Sequence, residues 1–370
     1  MGEFMTSKKF NAIIAGGGTG GHLYPAIAIG EEIKFRAPNV NIHYVGSIYG
    51  IEKQVLPILN EKYRLLPIKG LQRGLSFSSL RKNIILPPLL LKSIIKIKGI
   101  FKSFKPDIVI GTGGYASAIP IKEGLKRNIP ILLQEQNSYP GVTTRFFAKR
   151  ADRVCVAFKE VQDKIKTKCI ITGNPVRKVI GKANRIKSLD KFKLNPKYKT
   201  IFVFGGSQGS LPLNNFIKNH YQEFINNNIQ VLWQTGEREF EKYKKFKNNF
   251  LKIKPYISDM ASAYASCDLI ISRSGALTCS EITICNKPSI LIPLPYSAGN
   301  HQLKNAEAMK RAGACEILLE KELRNLNSIH KIIQILSNKK KLELMQKNCK
   351  KISKPEAAVK IVDQVMMLIK

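Results

Sequence analysis

Twice in this chain a short aliphatic run ends directly in a glycine loop and is followed by a helical pattern, and no other feature limits the fold as tightly. Residues 11–15 run into Gly16-Gly17-Gly18-Thr19-Gly20-Gly21-His22, and residues 200–204 into Gly205-Gly206-Ser207-Gln208-Gly209-Ser210. Further apolar runs recur around each, at 41–45, 107–110 and 129–133 in the first half and at 230–233, 268–272 and 289–293 in the second. Strands rich in Ile, Val and Leu with no polar alternation are buried on both faces, the condition of a parallel sheet covered by helices on either side. The expected class is α/β, with two Rossmann-like, doubly wound parallel-sheet domains.

A chain of 370 residues exceeds what one core usually serves, and 44% hydrophobic with 24% charged residues is ordinary globular composition. Residues 1–7 read as a cloning scar and disordered start, because Met1 to Phe4 precede a second Met5. Residues 8–174 form the expected N-terminal domain and 200–352 the C-terminal one. Between them Gly173-Asn174-Pro175-Val176-Arg177 opens a Lys-rich stretch, so 175–199 reads as the linker. Residues 353–370 carry Ala358, Val359, Ile361, Val362, Val365, Met366 and Ile369 at helical spacing, a helix expected to dock back on the first domain. Seven cysteines without a CxxC pair suggest neither a disulfide framework nor a zinc site. With no apolar leader-like run near the start, the expected compartment is the cytoplasm.

The net charge of +35 draws polyanions and anionic lipid alike. Only 14 of the 61 basic residues are Arg, and no basic cluster is interleaved with aromatics, so no nucleic-acid partner is expected. Coding from an AT-rich genome accounts for Lys, Asn and Ile as well as function does, and both causes stay open. Residues 71–105 mix aliphatic side chains with Lys and Arg. A membrane-spanning helix needs about 20 mostly apolar residues, whereas Lys92, Lys96 and Lys98 interrupt this run and Pro87-Pro88 breaks it. Two readings remain: a segment lying on an anionic membrane surface, where each basic residue adds ~1 kcal/mol, or a core helix with a solvated basic face.

The first loop matches GxGxxG through Gly16, Gly18 and Gly21, after a strand and before a helix expected from about Pro25. A dinucleotide site also needs an acid about 20 positions on, and the second strand ends in Val45-Gly46-Ser47 instead. That absence argues against a NAD-dependent oxidoreductase. The second loop offers Ser207 and backbone amides to a pyrophosphate. A third, Arg273-Ser274-Gly275-Ala276-Leu277-Thr278-Cys279-Ser280-Glu281, places Glu281 a turn and a half into the next helix, where its carboxylate can accept from both hydroxyls of a ribose. Polar loops at 111–115, 134–137 and 298–305 suit a sugar. Any one glycine can serve tight βα packing alone; together they point to a sugar nucleotide. The seven aspartates contain no DxD clamp, so no metal and no other cofactor is expected. Helix N-termini after Gly209 and Gly275, with Arg177, can carry the charge of a leaving diphosphate.

These motifs resemble the MurG family, which moves N-acetylglucosamine from its UDP carrier to the membrane-anchored muramyl-pentapeptide lipid I, making lipid II. The resemblance runs through GGTGGH at 17–22, GTGGY at 111–115, EQN at 135–137, GNPVR at 173–177, GGSQG at 205–209 and RSGALTCSE at 273–281. It implies a GT-B fold, two Rossmann-like domains facing across a cleft, and a metal-independent inverting reaction. It assigns Ser207 and Ala276, Leu277 and Thr278 to the pyrophosphate, Ile257 to the uracil and Glu281 to the ribose. Asn137, Arg177 and Gln302 would help place the donor sugar and its phosphates. Thr19, Gly20 and Gly21 would touch UDP-GlcNAc and, with His22, Gly113, Gly114 and Tyr115, line the acceptor side. Inversion needs a base for the acceptor hydroxyl and no covalent nucleophile; His22 is the first candidate, against the competing role of a structural cap, and Glu135 the second. The implied partners are UDP-N-acetylglucosamine, undecaprenyl-linked lipid I and, through 71–105, the cytoplasmic face of the plasma membrane. Another GT-B UDP-sugar transferase or a UDP-sugar epimerase would share the nucleotide loops, though an epimerase needs no membrane-facing segment.

Overall fold

The computed structural model describes residues 9–70 and 86–369. The expected scar and disordered start at 1–7, and residues 71–85 of the segment 71–105, lie outside these. The chain divides into two compact units, one reaching Arg177 and taking in the segment from Glu356, the other running Lys178–Pro355.

The first unit is built on a parallel sheet of β1 (Asn11–Ala15), β2 (Asn41–Ser47), β3 (Lys62–Leu66), β4 (Ile108–Gly111), β5 (Ile131–Glu135), β6 (Arg153–Val156) and β7 (Ile170–Ile171), in the order β3-β2-β1-β4-β5-β6-β7. The second repeats the plan with β8 (Lys199–Phe204), β9 (Ile229–Gln234), β10 (Leu251–Lys254), β11 (Leu269–Ser272), β12 (Ser289–Leu291) and β13 (Cys315–Ile317), in the order β10-β9-β8-β11-β12-β13. Both are doubly wound.

Side-chain alternation explains the winding. In β1, Ala12 and Ile14 join Leu23, Ala26, Ile27 and Ile33 of the helix Gly20–Arg36. Ile13 and Ala15 join Ile119 and Ile121 of the helix Tyr115–Lys126 on the other face. In β8, Ile201 and Val203 meet Leu213, Phe216 and Ile217 of the helix Leu211–Asn226, while the rings of Phe202 and Phe204 pack against Tyr264. Each such side chain is worth about 1.5–3 kcal/mol on burial. Because the order reverses at β1/β4 and at β8/β11, the loops leaving these strands part to opposite faces and open a crevice at the strand C-termini.

Three local expectations change. The first helix begins at Gly20, not near Pro25, which lies inside it. Proline removes only the bond to the Gly21 carbonyl, and Gly21 is exposed, so water can serve that group. The stretch 178–199 belongs to the second unit. It forms the helix Arg185–Lys191, capped by Asn184, whose Oδ1 accepts from the Lys187 amide at 3.1 Å. Arg185 donates to the carbonyls of Ala265, Ser266 and Cys267 and to Asp268 at 3.0–3.3 Å. Pro87 and Pro88 start the helix Leu86–Phe104 rather than breaking it, since the first turn needs no amide donors.

At the other end, the helix Ala357–Leu368 packs Ile361, Val362, Val365 and Met366 into the core of the first unit. Arg36 donates to Asp363 at 2.6 Å beside it.

Candidate active site

The first unit brings together Thr19, Gly20, Gly21, His22, Gly113, Gly114, Tyr115, Glu135, Asn137 and Arg177; the second brings together Ser207, Ile257, Ala276, Leu277, Thr278, Glu281 and Gln302.

In the first unit Ala15 pairs with Gly111, so the loops after β1 and β4 leave side by side. The Gly17 amide donates to the Gly113 carbonyl at 3.4 Å. A Cβ on Gly114 would stand 2.1 Å from the Gly17 carbonyl oxygen, and one on Gly113 2.8 Å from His22 Nδ1; both glycines also have positive φ, +78° and +95°. Glycine is therefore required at both for backbone and ring to approach.

His22 is half-buried in the first turn of its helix. Its Nδ1 lies 3.0 Å from the Thr112 carbonyl and 3.0 Å from Gln136 Oε1. Gln136 is itself oriented by donating Nε2 to the Thr112 carbonyl at 2.8 Å and to Gln134 Oε1. Both neighbours of Nδ1 are acceptors, so Nδ1 carries the hydrogen, and the neutral ring keeps its lone pair on Nε2. Tyr115, 44% exposed, opens the next helix on the same side of the loop.

Glu135 does not share that freedom. It is 2% exposed and accepts four hydrogen bonds, from the amide and Nδ2 of Asn137 at 3.1 and 3.3 Å, the Gly141 amide at 2.9 Å and the Thr144 hydroxyl at 2.6 Å. Two donors on each oxygen fill the carboxylate's acceptor positions. The geometry makes Glu135 the anchor of the loop 137–144 and not a second base. The guanidinium of Arg177 lies over the Tyr24 ring at 4.5 Å, and its Nε is buried without a partner.

Sequence reasoning missed Glu52. An acid does follow the second strand, but it turns inward: Glu52 is 0% exposed, and its Oε1 accepts from the Gly18 amide at 2.6 Å and the Ser47 amide at 3.1 Å. Its signal was the pair Gly46 and Gly50 just ahead of an isolated acid.

In the second unit Phe204 pairs with Ser272, again setting two loops side by side. The amides of Ser207 and Gln208 meet no acceptor among the described residues. Nε2 of Gln234, at the end of β9, donates to the Gly206 carbonyl at 2.9 Å, while its Oε1 takes the Ile257 amide at 2.8 Å. Buried Arg273 ties the neighbouring turns together, donating to the carbonyls of Ile292 and Pro293 at 3.2 Å, to the Ser210 hydroxyl at 2.9 Å, and to Glu320.

The helix Ala276–Ile284, capped by Gly275, directs its first-turn amides at the crevice. One turn and a half on, Glu281 is nearly buried and accepts from the Tyr264 hydroxyl at 2.8 Å. Full burial first, and then the Glu281 charge, hold the Tyr264 phenol well above its usual range, so it stays a donor. Behind the loop, the Ser274 hydroxyl donates to the Gln302 carbonyl at 2.8 Å, and Asn305 Nδ2 to the Ser274 carbonyl at 3.0 Å. Gln302 Oε1 holds the Leu294 amide at 3.0 Å.

A cavity of about 1120 Å³ elsewhere in this unit, lined by Leu211, Phe216, Leu294 and Arg324 among others, contains none of these predicted site residues.

Elsewhere in the first unit, the described part of the segment 71–105 forms the helix Leu86–Phe104, with one face on the core and lysines outward. Ser93, Ile97, Ile100 and Phe101 face the core, while Leu91 and Ile95, 60% and 63% exposed, stand outward between Lys92, Lys96 and Lys98. No helix among the described residues is long and apolar enough to cross a membrane.

Residues 12–156 match the N-terminal domain of glycosyltransferase family 28, and residues 200–362 its C-terminal domain. A protein of Flavobacterium psychrophilum, named UDP-N-acetylglucosamine--N-acetylmuramyl-(pentapeptide) pyrophosphoryl-undecaprenol N-acetylglucosamine transferase, is 41% identical over 98% of this chain and 98% of its own length. One of the same name from Christiangramia forsetii is 40% identical over 96% and 97%. The crystal structure of MurG from Acinetobacter baumannii superposes with a TM-score of 0.70 at 25% identity, covering 97% of this chain and 100% of that one.

Proposed function

The chain belongs to the MurG family of glycosyltransferases, and on that footing we propose that it moves N-acetylglucosamine from UDP-GlcNAc to the 4-hydroxyl of the muramyl-pentapeptide of lipid I, with inversion, giving lipid II. The observation that carries this reading is the end-to-end likeness to relatives of that name.

The second unit takes the donor. Ser207, with the amides of Ser207, Leu277 and Thr278, receives the pyrophosphate at the positive ends of two helices. Glu281, steadied by Tyr264, accepts from the ribose hydroxyls. The Ile257 amide is already committed to Gln234, so the uracil meets the Ile257 carbonyl and side chain. Gln302 uses its Oε1 on its own loop and offers Nε2 to the sugar.

The first unit takes the acceptor, along Gly20, Gly21, Gly113, Gly114 and Tyr115. The 4-hydroxyl oxygen attacks the anomeric carbon while the bond to UDP breaks. Its proton passes to His22 Nε2, and the electron pair leaves on the β-phosphate oxygen. Helix termini and Arg177 supply the electrostatic support that a metal would otherwise give, so the reaction runs without one. Asn137 and Arg177 help orient the donor sugar and its phosphates.

The enzyme works as a peripheral protein on the cytoplasmic face of the plasma membrane, as a step of peptidoglycan synthesis on which cell shape and division depend. Exposed Leu91 and Ile95 among lysines support that placement. Incubation with UDP-GlcNAc and a lipid I analogue in excess chelator tests the whole reading: the disaccharide product is expected, and its absence from a folded enzyme that binds UDP overturns it.

A further inference from the structure

The two glycine loops begin alike. Each carries a glycine at strongly positive φ, Gly18 at +93° and Gly206 at +95°, with open space where a Cβ would stand. Each is braced by a side chain from the end of the next strand of its sheet or just beyond it, and here they part. In the second unit the brace is a neutral amide: Gln234 donates to the Gly206 carbonyl and leaves the Ser207 and Gln208 amides open. In the first unit it is a carboxylate, and it consumes a loop amide, that of Gly18.

Space for this carboxylate is made by three missing side chains. A Cβ on Gly17 would lie 1.6 Å from Glu52 Oε1, one on Gly50 1.9 Å from Oε2, and one on Gly46 2.7 Å from Cγ. Oε1 takes two amides, Gly18 and Ser47, while Oε2 is buried with no hydrogen-bond partner. A brace needed only for shape could be neutral, as Gln234 is. An acid at this position instead puts a fixed negative charge where the amides of a glycine loop otherwise receive phosphate.

We propose that Glu52 is a built-in anion that fills the phosphate position of the first glycine loop, a positioning residue that makes the first unit an acceptor site and bars it from serving as a second nucleotide site. The proposal rests on the acceptor reading of that unit. With Gly18 and Ser47 tied to Glu52, the helix start at Thr19, Gly20 and Gly21 remains to meet the acceptor, and the loop holds that edge and His22 in register.

The test is steady-state kinetics of Glu52→Ala with both substrates varied. Removing the carboxylate leaves the Gly18 and Ser47 amides facing a slot the size of a carboxyl group. The acceptor KM is expected to rise about tenfold while the donor KM stays within twofold of native. Added acetate, entering the slot, is expected to restore most of the loss, and acetamide, of equal size and no charge, much less. A donor KM that moves as far as the acceptor KM, equal rescue by acetamide, or no rescue overturns the proposal. Where Glu52→Ala does not fold, Glu52→Gln keeps the volume. A neutral acceptor holds an amide more weakly than a charged one, so the acceptor KM should rise roughly threefold with the melting temperature nearly unchanged. A native acceptor KM in Glu52→Gln overturns the need for an anion. Product formation by the native chain under the same conditions tests the functional reading separately.

Discussion

The crevices at the two switch points share one scaffold and differ in which of their polar groups are already spent. In the first unit the loop amides go to the protein itself: Gly16 to Val45, Gly17 to Gly113, Gly18 to Glu52. Beside the helix-start amides of Thr19, Gly20 and Gly21, what stays available is a ring nitrogen, Nε2 of His22, aimed by the Thr112 carbonyl. In the second, the brace through Gln234 spends a carbonyl and an amide outside the loop tip, so the amides of Ser207 and Gln208 meet no acceptor among the described residues. The side chain that braces each glycine loop thus decides which of its polar groups are spent, and on the proposed function this is what separates a phosphate site from a proton-transfer site.

Four substitutions and one titration probe that contrast. His22→Ala removes the group that only the first crevice offers, and should lower kcat on the order of 10²-fold while UDP affinity stays native; a near-normal turnover rate would show that His22 is a cap. Glu281→Ala removes the proposed ribose acceptor from the second crevice, and UDP should bind about 10- to 100-fold more weakly by calorimetry, the range for a hydrogen bond to a charged group. Gln234→Glu gives the second loop the brace of the first. It sets a carboxylate oxygen against the Gly206 carbonyl beside the pyrophosphate position and should weaken UDP about tenfold; unchanged affinity breaks the comparison. Tyr264→Phe deletes only the support behind Glu281, with an expected rise in donor KM of about fivefold and no change in acceptor KM.

The smallest effect is expected one strand in from the edge of the first sheet. His43 packs its ring against Phe104 with Nε2 unpartnered, and burial first, then Arg64 and Lys62, bring its pKa down from 6.5 to about 4. With the folded value below the unfolded one, the unfolded chain takes the extra proton first as pH falls. Stability is lost between about pH 6.5 and about 4. His43→Gln should flatten that stretch of the melting-temperature profile.

Legibility in the sequence followed burial. All eight apolar runs are strands, because interior strands of a parallel sheet are apolar on both faces. The five without such a run, β3, β6, β7, β10 and β13, lie at or next to a sheet edge, where solvent permits Lys62-Tyr63-Arg64 or Leu251-Lys252-Ile253-Lys254. The glycine loops were readable because positive φ and close backbone approach admit little else. The partners that give those loops their chemistry were not: Glu52 is 34 residues from Gly18 and Gln136 is 114 from His22, and only the folded sheet brings each pair together. Glu135 looked like a base because a lone acid in a polar loop cannot reveal that its own loop fills it.

The helix Ala357–Leu368 also fixes an order of assembly. The second unit is continuous in sequence and has its whole core once residue 355 has been synthesised, whereas the first, begun earlier, lacks Ile361, Val362, Val365 and Met366 against its own first helix until those later residues have been added. Domains usually mature on the ribosome from the N-terminus onward. Here the second unit can be complete first, and the unit that holds His22 closes its core last.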